Sequence, residues 1–193
     1  MENTLIAGLK DRIANAASLH SSVGIVLPSN NYNDLTNAFF DFIKEKSSNP
    51  WIYITITKPF YEIKNQYENL FNKSNIKFID CVSHSAGIKS DDPQCYFLDS
   101  PSHLEKLILE IINFVKENEK LGETFIVIDT LSSLTLYNDE LLINEFFTHL
   151  INNLRFFNSH TISLCIEEEM NDIMNRMLYL KNDKIIKVRE SFI

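Results

Sequence analysis

Short apolar runs rich in Val, Ile and Phe alternate along this chain with longer stretches in which apolar residues recur every three to four positions. That rhythm belongs to an α/β domain. The runs predict strands over 23–27, 51–57, 76–82, 124–129, 161–166 and 184–188, with a shorter one over 95–98. Most are apolar through their middle. A strand without polar alternation is covered on both faces, which is the condition of a parallel sheet lying between two helical layers. The expected architecture is a three-layer α/β/α sandwich with a mainly parallel central sheet.

The intervening stretches carry helix signals. An amphipathic segment over 4–19 opens the chain, and Asp34 is placed to cap a helix over 35–46. Pro59 opens the helix after the second strand, with Ile63, Tyr67, Leu70 and Phe71 facing inward. Ser100-Pro101 offers an N-cap followed by proline at the first helical position, ahead of Leu104, Leu107, Ile108, Ile111, Ile112 and Val115, and Gly122 marks the exit. Asn138 or Asp139 caps the next helix. Its stripe from Leu142 to Phe157 is wider than one sheet contact requires, so this stripe and the 4–19 segment are both candidate contact surfaces as well as core. No linker or repeat interrupts the order, and we expect one domain over 1–193, with 1–20 as an N-terminal helical extension.

Composition narrows the function classes. With 193 residues, 45% hydrophobic and 23% charged, the chain can bury a sizeable core. Its 18 Lys+Arg against 26 Asp+Glu give a net charge of −8, which opposes general nucleic-acid or anionic-membrane binding. No apolar run approaches the ~20 residues of a membrane span, so no membrane insertion is expected. Cys81, Cys95 and Cys165 are odd in number without a CxxC pair, and no cationic, apolar leader opens the chain. The expected compartment is the reducing cytoplasm.

In an open parallel sheet a ligand site lies beyond the carboxyl ends of the strands. The first such loop, Pro28-Ser29-Asn30-Asn31-Tyr32-Asn33-Asp34-Leu35-Thr36, stands where a nucleotide-binding protein carries GxxxxGK[ST], yet it has neither glycine nor lysine. Asn30, Asn31 and Asn33 leave a shallow anion nest open, but Asp34 as N-cap would hold the helix amides that a phosphate uses. The loop after the second strand reads Thr57-Lys58-Pro59 and shows no general base. Lys58 is expected to be solvated, with contact to an anion as the alternative. Phe125-Ile126-Val127-Ile128-Asp129-Thr130 has the form of a Walker B segment, whose aspartate orients magnesium only beside a phosphate site.

The order and spacing of these pieces resemble a RecA-superfamily domain of the KaiC-like type, especially the small archaeal RecA-like proteins implicated in signal transduction. The resemblance rests on the strand from Trp51 leading into Lys58-Pro59-Phe60-Tyr61-Glu62-Ile63, and on Phe78-Ile79-Asp80-Cys81-Val82-Ser83. It rests equally on Leu98-Asp99-Ser100-Pro101-Ser102-His103-Leu104 and on Phe125 through Leu134 to Tyr137-Asn138. It implies a RecA-like fold whose active members bind ATP and magnesium at the first loop, often between the subunits of rings or filaments. Asn33 and Asp34 fall where lysine and serine or threonine should lie, and Thr57-Lys58 falls where an acidic pair activates water. The Walker A motif is therefore degenerate. Losing these groups removes most of the electrostatic stabilisation of a transferring phosphoryl group.

Other constellations are weaker. Cys81, His84, Asp91, Asp92, Cys95 and His103 share a stretch but lack two tight ligand pairs, and no metal is expected. Glu167-Glu168-Glu169 reads as a solvated acidic helix start. His20, His149 and His160 form no hydrolase pattern. The expected function is a non-catalytic regulatory or protein-interaction module, with a protein partner or self-association, no catalytic residues and no cofactor. The alternative is a nucleotide-binding switch or weak Mg-ATPase in which Ser29, Asn30, Asn31, Asn33, Asp34 and Lys58 contact the nucleotide and Asp129 holds magnesium.

Overall fold

A computed structural model describes residues 2–68, 74–88 and 91–188, without the side chains of residues 2–7. Helix α1 (Glu2–Leu19) leads into β1 (Ser22–Leu27), α2 (Tyr32–Glu45), β2 (Trp51–Thr55), α3 (Phe60–Gln66), β3 (Ile76–Asp80) and β4 (Cys95–Phe97). The chain continues through α4 (Leu104–Asn118), β5 (Thr124–Asp129), α5 (Glu140–Leu154), β6 (Ser159–Ile166), α6 (Asp172–Lys181) and β7 (Lys184–Lys187). The seven strands form one sheet in the order β4-β3-β2-β5-β6-β1-β7. Every pairing is parallel.

Side chains alternate across the sheet, and both sides are covered. Ile25, Trp51, Tyr53, Phe125, Val127 and Leu164 meet α1, α2 and α3 in one core. Their neighbours Val26, Ile52, Ile54, Ile126, Ile128 and Cys165 meet α4, α5 and α6 in another. This explains why β1, β2 and β5 are buried at every position, and why their sequences lack a polar alternation. Gly24 is required by packing: a Cβ there would stand 2.7 Å from Ile185 Cδ1 and 3.0 Å from Leu178 Cγ, so α6 and β7 approach β1 closely because that position has no side chain.

Several boundaries differ from the sequence expectation, each for a local reason. Strand β2 stops at Thr55 rather than residue 57, because the Thr55 hydroxyl donates to the Lys58 carbonyl at 2.5 Å and turns the chain. Strand β3 stops at Asp80 rather than residue 82, because the Asp80 carboxylate accepts from the Val82 and Ser83 amides at 2.7 and 2.8 Å. Helix α4 begins at Leu104, so Ser100-Pro101 does not start it. The Ser100 hydroxyl instead accepts from the Ser102 amide at 3.2 Å, closing a separate turn. The inward placement of Leu70 and Phe71 lies outside the described residues. The two broad stripes are mostly core: Leu9, Ile13 and Ala17 of α1 and Ile143, Phe147 and Leu150 of α5 are buried, whereas Leu142 is exposed.

An aromatic layer closes the α2 side. Phe42 sets its edge against Trp51 at 5.4 Å and Phe125 at 5.8 Å, while Trp51 and Phe125 stack at 4.4 Å. Phe42→Ala is expected to lower stability by about 3–5 kcal/mol, since the opening between two strands and a helix cannot collapse; urea unfolding of the variant checks this, and a loss below about 1 kcal/mol would contradict the packing described.

Candidate functional site

Strands β1 and β6 run side by side with Leu27 opposite Ile166, so the segments that follow them, Pro28–Asn31 and Glu167–Glu169, emerge together at the carboxyl edge of the sheet. The consequence is a direct contact across 139 positions of sequence. The Ser29 amide donates to both carboxylate oxygens of Glu168, each at 3.0 Å, and its hydroxyl donates to Oε1 at 2.8 Å. These bonds hold the Glu168 carboxyl below its ordinary range. A neighbouring contact ties down the adjacent acid: the Ser132 and Ser133 hydroxyls donate to Glu169 Oε2 at 2.7 and 2.9 Å.

Helix α2 begins at Tyr32, after a single 3-10 turn over Ser29–Asn31. Asp34 is thus in its first turn and is not the N-cap, which is Asn31 and makes no side-chain capping bond. The expectation that Asp34 holds the loop amides is corrected: the acid on the loop is Glu168. The early start also turns Tyr32 toward the sheet. Asp129 continues the inward alternation of Phe125 and Val127 and meets two phenols there. Tyr32 donates to Asp129 Oδ2 at 2.7 Å, and Tyr53 donates to the same oxygen. Because the Tyr32 proton is used, the Thr57 hydroxyl 2.9 Å away donates to Tyr32.

Lys58 lies over the Tyr32 ring, with Nζ 5.2 Å from the centroid and 3.5 Å from Asn33 Oδ1. It is half-buried on this ring, not the solvated lysine expected. Asn30 lies exposed on the 3-10 turn, and Asn31 Oδ1 is buried without a hydrogen-bond partner among the described residues. The structure thus brings Asn33, Lys58 and Asp129 around Tyr32 and sets Ser29 against Glu168, while Asp34 stands apart from both contacts.

Two buried aspartates end β3 and β5, the strands on either side of β2, and differ in satisfaction. Asp80 accepts from three backbone amides and the Ser83 hydroxyl. Asp129 has only the two phenols, and its Oδ1 has no hydrogen-bond partner among the described residues. Burial pushes the Asp129 carboxyl up to about 6, against the opposing pull of Tyr53, Tyr32 and Lys58. The same burial, with the Asp129 charge nearby, drives both tyrosine hydroxyls well above their ordinary range.

No family model and no curated protein matches the sequence. Solved structures do. An uncharacterized protein of Pyrococcus horikoshii, crystallised in complex with an unknown peptide, superposes with a TM-score of 0.69 at 15% identity, over 89% of this chain and 78% of that one. A KaiC-like protein of the same organism gives 0.61 at 14% identity, over 90% and 74% of the two chains. Flagellar accessory protein FlaH of Methanocaldococcus jannaschii gives 0.59 at 14%, over 86% and 70%. The fold is RecA-like. At these identities the likeness is one of fold, and the site has to be judged from its own residues.

A magnesium-nucleotide complex is what this fold implies at this edge, and the residues present do not fit one. The Ser29 amide of the first loop faces a carboxylate, Lys58 is turned onto the Tyr32 ring, and Asp129 accepts from two phenols. Elsewhere, the Cys81 to His103 stretch does not converge. Cys81 is fully buried, Asp92 pairs with Lys64 at 2.6 Å, and the His84 ring stacks on Phe97 at 5.4 Å. Among the described residues no three His, Cys, Asp or Glu side chains come together as metal ligands. No helix among them is long and apolar enough to cross a membrane.

The residues whose site contacts sequence reasoning missed are Tyr32, Tyr53 and Glu168. Tyr53 carried a usable signal, since strand alternation puts it on the same face as Asp129 once β2 and β5 are paired. Glu168 carried none without the β1–β6 pairing.

The raised Asp129 carboxyl makes a pH prediction. Between pH 4 and 6 the native state keeps a proton that the unfolded chain releases, so this group's contribution to stability falls as pH rises through that window. Asp129→Asn abolishes that loss. Relative to the parent, the variant is expected to gain about 2 kcal/mol between pH 4.5 and pH 8, read from urea unfolding at both values; parallel shifts at the two pH values would contradict the assignment.

Proposed function

We propose that this chain is a non-catalytic RecA-like module of the KaiC type, which acts by binding another protein or a second copy of itself and needs no cofactor. The observation that carries this is the pair of internal ligands at the carboxyl edge. Glu168 occupies the Ser29 amide and hydroxyl, and the Tyr32 and Tyr53 phenols occupy Asp129.

Phosphoryl transfer in this fold depends on positive charge and backbone amides directed at the phosphates, and on a carboxylate free to orient magnesium. Here a negative side chain stands on the amide, so a phosphate would have to displace it against charge repulsion. The P. horikoshii neighbour crystallised with a peptide supports a binding role for this architecture. A regulatory role for the present chain follows from the same reasoning, because a fold kept without its chemistry serves through its surfaces.

Thermal unfolding of the purified protein with and without millimolar Mg-ATP or Mg-ADP tests the proposal, since ligand binding to the native state alone raises the melting temperature by mass action. The expected outcome is no shift with either nucleotide. A concentration-dependent rise of several degrees would favour a nucleotide-binding switch instead, with Asp129 on magnesium, and that rise should vanish in Asp129→Asn.

A further inference from the structure

Four aliphatic side chains stand out from the corner where α5 and α6 begin. Leu136, Leu141 and Leu142 are 73%, 70% and 51% exposed, and Ile173 is 47% exposed. Leu136 ends the 3-10 segment before α5, Leu141 and Leu142 lie in the first turn of α5, and Ile173 lies in the first turn of α6. Side-chain contacts hold these segments together: the Asn171 amide donates to Glu140, and Ser132 and Ser133 donate to Glu169. Ile143, Phe146 and Phe147 of α5 and Met174 and Met177 of α6 already face the core. The four are therefore surplus to packing, and their grouping sets them apart from singly exposed apolar residues.

The border of this patch is acidic. Asp139, Glu140, Glu145, Glu167 and Asp172 lie on the same segments, and among the described residues none is paired with a lysine or arginine. From Ser132 to Ile173 the chain has seven acids, one arginine and no lysine. That arginine, Arg155, is bonded to Asp183 at 3.1 Å. An apolar centre with an uncompensated acidic rim repels a surface of the same sign and selects a basic one. The net charge of −8 works against a second copy docking here.

We infer that this corner docks a basic amphipathic segment of another protein, one presenting leucine-sized side chains flanked by lysine or arginine. The inference rests on the interaction-module proposal and names its surface and the chemistry of its partner. The apolar side chains would fill the Leu141, Leu142 and Ile173 surface, and the basic groups would face Asp139, Glu167 and Asp172.

The test uses a fluorescent synthetic helical peptide of leucine and lysine with one apolar face, a peptide of the same composition in an order that destroys the face, and a leucine-glutamate counterpart. Fluorescence anisotropy should show binding of the first peptide, at least about tenfold weaker binding of the second and none of the third. Affinity should fall as salt rises. The double variant Leu141→Ser with Leu142→Ser, and separately Ile173→Ser, should each weaken binding about tenfold without lowering the melting temperature, whereas Leu180→Ser at the far end of α6 should leave it unchanged. Failure of the first peptide to bind, or equal affinity in all variants, overturns the inference. Sedimentation showing a dimer that Leu141→Ser disperses would overturn the assigned occupant by placing a second copy on the patch. Both outcomes leave the interaction-module proposal standing, which falls instead if nucleotide raises the melting temperature.

Discussion

A parallel sheet has two faces to bury and its crossover connections must supply the cover. In this chain α1, α2 and α3 cover one face and α4, α5 and α6 the other. Much else is a consequence. The central strands β1, β2 and β5 are buried at every position, Trp51 and Phe125 of β2 and β5 stack on each other under Phe42 of α2, and Gly24 gives α6 and β7 their approach to β1. Parallel strands also deliver all their carboxyl ends to one edge, where loops meet that are distant in sequence.

That edge gathers polar groups that bond largely to one another. Asp129 reaches it on the face shared with Tyr53, because two-residue alternation carries Phe125, Val127 and Asp129 to the same side. A carboxylate there costs desolvation, and the phenols of Tyr32 and Tyr53 offset part of that cost by donating to one oxygen. Glu168 does the corresponding work on the first loop, accepting from the Ser29 amide and hydroxyl. Asp80 illustrates the alternative: a buried carboxylate with three backbone amides and a hydroxyl is a finished structural element that shapes the turn after β3.

The legible part of the fold was its periodicity. Seven apolar runs located the seven strands, since burial on both faces leaves a continuous mark in the residues themselves. The ends were less legible. Thr55 and Asp80 end their strands through side-chain bonds to the backbone just beyond, and Ser100-Pro101 has the form of a helix start although its hydroxyl closes a separate turn. Of the site, the departures at Asn33, Asp34 and Thr57 and the aspartate at the end of β5 could be read in order. The residue that meets the first loop could not, and the capping role assigned to Asp34 belongs to no residue of its own helix.

The sequence by itself determined the alternation of elements, the double-sided burial of the sheet, the acidic charge and the absence of glycine and lysine from the first loop, because each is a property of residue types at short spacing. Only the tertiary structure decided that Glu168 faces Ser29, that Tyr32 and Tyr53 share Asp129, and that the segments carrying the exposed Leu136, Leu141, Leu142 and Ile173 meet beside acids that have no lysine or arginine partner among the described residues. Those are contacts between segments tens of residues apart. Their partners are chosen by strand order and register, and the pairing of β1 with β6 and of β2 with β5 is a property of the whole packed chain.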